Sequence, residues 1–214
     1  MKISQFIVNQ FCENSYVLWD CIGGEAIVID PGMANDSERN AIDGFLEKKE
    51  LTLKKVILTH QHVDHILSAE YIANKYGVEV YANCKDNKLG ELLPQQALFF
   101  GLHCKCSPLK GVQPLVDGDI IRHGNEDIKV IEVPGHSQGG LAFYIPSMSV
   151  VFVGDSLFER SIGRTDLIGG DLNQLLNSIK TKLYTLPDDT VVYCGHGDPT
   201  TIGDERRHNP YCRS

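Results

Sequence analysis

The stretch Thr59-His60-Gln61-His62-Val63-Asp64-His65 constrains this chain more than any other. It places three imidazoles and a carboxylate within six positions, directly after a run, residues 53–58, that reads as a short buried strand. Packing alone does not account for so many polar side chains at a strand end, because a buried polar group costs free energy unless it is partnered. A neutral imidazole offers a lone pair at physiological pH, which makes histidine the commonest metal ligand. His60 and His62, two apart, point the same way if the extended conformation continues past the strand. A turn after them brings Asp64 and His65 round to a neighbouring point. The pattern is a layout for two adjacent metal ions.

Three further residues share that strand-end position. His136 lies in Val133-Pro134-Gly135-His136-Ser137, after the strand-like residues 128–133. Asp155 follows Val150-Val151-Phe152-Val153-Gly154, and His196 sits in Tyr193-Cys194-Gly195-His196-Gly197 after Thr190-Val191-Val192. Each stands beside glycine, where a backbone can approach a ligand closely. Singly, His136 or His196 is a weak signal and Asp155 could be a turn former; their common placement raises all three.

With these residues in view the chain resembles the metallo-β-lactamase superfamily, and within it the small glyoxalase II-like hydrolases. The motifs that carry the resemblance run in order: Asp30-Pro31-Gly32, Thr59 to His65, Pro134-Gly135-His136, Gly154-Asp155, Gly163-Arg164-Thr165-Asp166 and Gly195-His196-Gly197. The resemblance implies an α/β fold, an αββα sandwich of two mixed sheets with outer helices. It also implies that His60, His62 and His136 bind a first metal, that Asp64, His65 and His196 bind a second, and that Asp155 bridges them. The Gly163 to Asp166 turn narrows the likeness to glyoxalase II-like proteins and their relatives, the persulfide dioxygenases.

Composition excludes other classes. The chain has 214 residues, 42% hydrophobic and 22% charged, which fits one globular domain over residues 1–214. A net charge of −8 opposes a nucleic-acid partner, since phosphate binding needs a clustered positive surface. No apolar run approaches the roughly 20 residues that span a bilayer, and residues 1–6 lack the pattern of a signal peptide. Seven cysteines in no paired Cys-x-x-Cys unit read as reduced thiols in the cytoplasm. Cys104-Lys105-Cys106 is too closely spaced for a usual zinc knuckle. The expected partner is a small-molecule substrate, with no nucleic acid, no membrane and the oligomeric state left open.

The opening residues read as a β-meander, with strands at 3–8, 15–19 and 25–29 and a turn at Gly23-Gly24. Helices are expected over 37–50, 66–76 and 86–93, and a strand over 78–81. Residues 98–103 read as an irregular aromatic segment in which Phe99 and Phe100 either cover the core, the commoner role of aromatics, or wall a substrate cleft. Strands follow at 120–121, 128–133, 141–145 and 150–153, with an amphipathic helix over 171–183 capped by Asp171. Two β-rich halves, each followed by helices, predict two facing sheets with no linker between them.

Five histidines and two aspartates suit two divalent ions, zinc by preference with iron the alternative. Two such ions lower the pKa of a shared water towards neutrality, and the hydroxide so generated can attack a carbonyl carbon. A thiolate from a thiol of pKa near 8.5 departs unprotonated, whereas an amine needs a proton donor. The one other acid in view, Asp64, is ionised as a ligand. The reading is therefore a metal-dependent hydrolase of a small acyl thioester of the hydroxyacylglutathione type. The resemblance also offers an iron-dependent persulfide dioxygenase using His60, His136 and Asp155. A non-catalytic metal-binding scaffold is the third reading, against which every ligand is retained. The stretch after His196 is too short for the C-terminal extension with which full-length glyoxalase II proteins contact glutathione, so weaker glutathione recognition is expected. Its Arg206 and Arg207 read as a solvated charge run. Arg164 with Asp166 reads as a salt-bridged turn, or alternatively as a contact for an anionic substrate. His103, His123 and His208 carry no motif.

Overall fold

Two six-stranded mixed sheets organise the chain, one in each of two units, Met1–Pro114 and Leu115–Ser214. The computed structural model describes residues 1–102, 104 and 106–213; His103 and Lys105, with the expectations placed on them, lie outside the described residues.

In the first unit β1 (Lys2–Val8), β2 (Glu13–Trp19) and β3 (Glu25–Ile29) form the expected antiparallel meander. Helix α1 (Asp36–Lys48) then carries the chain to β4 (Thr52–Ile57), which pairs parallel to β3. Asn35 caps α1 by accepting from the Glu38 N–H at 3.0 Å, while the Glu38 carboxylate accepts from the Ala34 N–H at 2.7 Å. That reciprocal cap starts the helix at Asp36. Val17, Val28 and Val56 of the sheet share a core with Ile42 and Leu46 of α1. Leu18, Ile27 and Ile57 on the other face are buried as well, which is why β2 to β4 read as continuous apolar runs.

The helix expected over 66–76 is two helices, α2 (Val63–Ile66) and α3 (Ala69–Tyr76). Ser68 breaks it, because its N–H donates to the Pro31 carbonyl at 2.9 Å rather than along the helix. Gly77, with φ +66°, closes α3 and leads into β5 (Glu79–Ala82). Helices α4 (Asn87–Glu91) and α5 (Leu93–Phe99) follow, and β6 (Gln113–Pro114) completes the sheet. Helix α5, over a stretch to which the sequence assigned no element, tolerates Pro94 in its first turn and takes in Leu98 and Phe99, while Phe100 to Leu102 lie outside any helix or strand as expected. Phe99 does not cover the core: it is 79% exposed, beside Leu98 at 80%. Phe100 does pack, edge-on to Phe11 with ring centroids 5.9 Å apart.

In the second unit β7 (Ile120–His123), β8 (Glu126–Glu132), β9 (Leu141–Ile145) and β10 (Val150–Gly154) run antiparallel in sequence. A small hairpin, β11 (Leu157–Phe158) with β12 (Ser161–Ile162), precedes α6 (Leu172–Thr181). The chain returns in β13 (Val191–Cys194), parallel to β10, then β14 (Thr200–Thr201) and α7 (Ile202–His208). Val133, Val151 and Val192 pack with Leu175 and Ile179 of α6. The terminal arginines are partly to well exposed, as a solvated charge run would be, but they are paired. They lie on α7, where Arg206 and Arg207 both pair with Asp188, the latter at 3.1 Å. His123 is a buried residue and His208 an exposed one, at 3.0 Å from Asp204. Among the described residues no helix is long and apolar enough to cross a membrane.

Asp171 caps α6 as expected, accepting from the Gln174 N–H at 2.9 Å. Asp171→Ala should cost about 1 kcal/mol and lower the thermal midpoint by roughly 2–4 °C for a chain of this size. Calorimetry that finds the midpoint unchanged would rule out a stabilising cap.

Candidate metal centre

In the first unit the site begins where β3 and β4 end side by side. Asp30, just past β3, adopts the left-handed backbone at φ +48° and is buried. Its Oδ1 accepts from the Thr59 N–H at 2.7 Å, and its Oδ2 from the Thr59 hydroxyl at 2.5 Å. The same Oδ2 lies 3.1 Å from His65 Nδ1. These bonds continue the β3–β4 pairing with a side chain, so the turn after β4 cannot swing away. His62 keeps an extended backbone at the N-cap of α2, and that short helix carries Asp64 and His65 round beside it. The ring centroids of His60 and His62 are 4.8 Å apart, and those of His60 and His65 4.1 Å.

The nitrogen left to each ring follows from these bonds. The Thr59 hydroxyl gives its one proton to Asp30, so at 3.0 Å from His60 Nδ1 it can only accept. Nδ1 of His65 faces a carboxylate, which also accepts. Both neutral imidazoles therefore carry hydrogen on Nδ1 and a lone pair on Nε2. Atoms of Asp30, His60 and His65 come within 4.8 Å of one another, a spacing compatible with a shared ion. Asp30 is nevertheless an orienting group, because both its oxygens already accept from Thr59 and one of them faces His65 as well.

Behind His65 lies a second carboxylate. Glu13 is fully buried, with Oε2 accepting from Ser15 at 2.8 Å and Oε1 at 3.7 Å from His65 Nδ1. Burial pushes its pKa well above the ordinary carboxylate value. Asn9 ties the loops together, donating to the Gly32 carbonyl at 2.9 Å and the Asp64 carbonyl at 3.0 Å. Gly32 is required there, since a Cβ would stand 1.9 Å from the Asp64 carbonyl oxygen.

The second unit builds its part on parallel neighbours. The β10–β13 register shifts between Phe152 and Gly154, and the Gly195 N–H donates to the Gly154 carbonyl at 2.8 Å. Asp155 and His196 thus emerge from adjacent strands at one sheet edge. Asp155 Oδ2 lies 3.6 Å from Nε2 of both His136 and His196. Nδ1 of His136 is 2.7 Å from the Arg164 carbonyl, an acceptor only, so its lone pair is again on Nε2. A lone pair and a carboxylate oxygen at 3.6 Å do not bond each other, a spacing compatible with a cation between them. Gly163 lets this turn close, since a Cβ would lie 1.8 Å from the Asp155 carbonyl oxygen and 3.0 Å from His136 Nδ1. Arg164 itself pairs with Asp166 through two bonds of 2.7 and 2.8 Å, which hold the Asp166 pKa down at about 2.

The structure therefore gathers His60, His62, Asp64 and His65 in one unit and His136, Asp155 and His196 in the other. Neutral imidazoles with carboxylates are a donor set for divalent metals. The orienting residues Glu13 and Asn9 had no sequence signal. Asp30 had one, the Asp-Pro-Gly motif, which reads as a strand stop and conceals the carboxylate's role.

The sequence profile of the metallo-beta-lactamase superfamily matches residues 11–196. Hydroxyacylglutathione hydrolase GloC from Haemophilus influenzae is 38% identical over 215 aligned residues, covering 100% of this chain and 99% of that protein. Among solved structures, the BLEG-1 B3 metallo-beta-lactamase is 34% identical with a TM-score of 0.88, each chain fully covered. TTHA1623 in a di-iron-bound form is 34% identical with a TM-score of 0.85, over 97% of this chain and 99% of the other. The expected fold, two mixed sheets with helices, is the one these neighbours share.

Asp30→Asn leaves a single acceptor oxygen for three donors and turns an NH2 towards at least one of them. Zinc affinity, measured by chelator competition, should fall roughly 10–100-fold while circular dichroism stays unchanged. Full affinity in the folded variant would remove Asp30 from the site.

Proposed function

The chain belongs to the metallo-beta-lactamase superfamily, and we propose that within this superfamily of metallo-hydrolases it cleaves small acyl thioesters of the hydroxyacylglutathione type. The observation that carries the reading is the pinning of Nδ1 on His60, His65 and His136, which makes Nε2 the nitrogen that carries the lone pair a cation needs. The full-length similarity to GloC supports the substrate class. In this proposal the two units act as one domain. His60, His62 and His136 hold one ion, Asp64, His65 and His196 hold the other, and Asp155 is shared. The chemistry supplied by divalent cations in such a donor set, zinc being the best match, is Lewis acidity and a water acidified to near neutral pH.

The chain's own side chains decide which leaving group is served. The proposal commits every imidazole and carboxylate of the set to a cation, and Asp64, deprotonated as a ligand must be, has no proton to give. A departing amine would lack a proton donor. A thiolate needs none, since thiol pKa values lie near 8.5. Arg164 is the candidate contact for an anionic substrate, but its guanidinium would have to leave Asp166 to make that contact. A small molecule rather than nucleic acid suits the net charge of −8, and seven free cysteines suit the cytoplasm.

Similarity to a di-iron-bound protein favours a second reading, an iron-dependent persulfide dioxygenase using His60, His136 and Asp155. Two assays separate them. The purified protein should release thiol from an S-2-hydroxyacyl glutathione, with activity following zinc loading and no oxygen consumed. Iron-dependent oxygen uptake with glutathione persulfide, without thioester cleavage, would replace the hydrolase by the dioxygenase. Cleavage of a β-lactam in preference to the thioester would refute the leaving-group argument.

Asp155→Ala removes the shared carboxylate. Activity should drop at least about 100-fold and metal content should fall, with circular dichroism unaltered because Asp155 lies beyond the packed residues of β10. Two equivalents of metal and normal turnover in the variant would contradict the shared role.

A further inference from the structure

The turn between β4 and α2 leaves backbone groups that neither the sheet nor the helix pairs, and these must find other partners. The two peptide groups flanking His62 are the Gln61 carbonyl and the Val63 N–H. Both are met by one side chain. Gln96, half-buried on α5, accepts from the Val63 N–H through Oε1 at 3.2 Å and donates to the Gln61 carbonyl through Nε2 at 3.4 Å. The second Nε2 hydrogen goes to the Leu89 carbonyl at 2.7 Å. His62 provides no side-chain cap to α2, so Gln96 supplies the acceptor that the first N–H of that helix lacks. A carboxamide is the side chain that offers an acceptor and two donors together at this reach.

The residue before His62 is gripped from the same side. The fully buried Gln61 side chain donates to the Asn83 carbonyl and to Asn87 Oδ1, each at 3.3 Å. Its N–H lies 3.4 Å from the buried Asp86 carboxylate. The ends of the His62 backbone are therefore held by α5 and by the start of α4, and the direction of the imidazole follows from the dihedrals so fixed.

We propose that Gln96 is a positioning residue for His62, bracketing its two peptide groups so that the imidazole is preorganised for a divalent cation. The proposal rests on the reading of His62 as a metal ligand. It makes α5, the helix that carries the exposed Leu98 and Phe99, a splint for the metal-binding turn.

The test uses the full chain freed of metal, with zinc as the probe. Gln96→Met keeps the length and removes all three hydrogen bonds; Gln96→Glu keeps the acceptor for Val63 and removes both donors. Zinc affinity is measured by competition with a chromophoric chelator, and folding of the metal-free protein by circular dichroism and thermal unfolding. Gln96→Met and Gln96→Glu should each weaken the site by about 10-fold or more, the second because a carboxylate oxygen would face the Gln61 and Leu89 carbonyls where the amide donates, while the metal-free proteins remain folded. His62→Ala serves as the reference and should lose about one zinc equivalent. If His62→Ala keeps full zinc content, the reading of His62 fails and the proposal with it. If His62→Ala loses zinc but Gln96→Met binds it like the parent, the proposal alone is overturned. Should Gln96→Met fail to fold, Gln96→Glu decides: a folded variant with undiminished affinity overturns the proposal, and a weakened one supports it.

Discussion

The carboxylate of Asp30 takes both hydrogens of Thr59 that face it and meets Nδ1 of His65, and the rest of the candidate metal centre in the first unit is arranged around those contacts. They convert the end of the β3–β4 pairing into a rigid origin for the turn that follows. They also settle which ring nitrogen carries hydrogen, on His65 directly and on His60 through the Thr59 hydroxyl. Without an accepting group at this point each imidazole could present either face. Burying the charge is tolerated because three donors surround it. The left-handed backbone of Asp30 is the conformational cost of placing it there, and Asp bears that conformation more readily than most residues.

The second unit reaches an equivalent result by different means. Here a backbone carbonyl, that of Arg164, orients His136. A carbonyl can only accept, so it assigns the hydrogen to Nδ1 as firmly as a carboxylate would. Asp155 and His196 owe their proximity to parallel pairing, which sends adjacent strands out of the same sheet edge, and to a register shift that releases the chain at Gly154. The Arg164–Asp166 pair holds the orienting turn in shape. Its role in supporting the site follows from where its backbone lies, quite apart from its charge.

Which residues were legible in the chain depended on the range of the interaction that defines them. The Thr59 to His65 cluster, His136, Asp155 and His196 stood out because each follows an apolar run, a local signal. The cap of α6 by Asp171 was equally local. The break between α2 and α3 was not, because Ser68 donates to Pro31, far away along the chain. Helix α5 was missed because its exposed Leu98 and Phe99 blur the apolar periodicity that marks a helix. The pairing of Arg206 and Arg207 with Asp188 was not legible because that partner is distant in sequence.

By itself the sequence determined the chemistry available: which side chains can donate to a metal, at which strand ends they stand, and that polar residues there must be partnered. It also marked most strands of the two sheets, because short apolar runs between turns are local properties of the chain, while the mixed pairing of those strands was implied only by the resemblance. Only the tertiary structure decided how those donors are held. Asp30, Glu13, Asn9 and Gln96 touch the site through hydrogen bonds to residues that lie elsewhere along the chain. Such bonds depend on a distance of about 3 Å and a direction in space, and neither quantity exists until the strands and helices have packed.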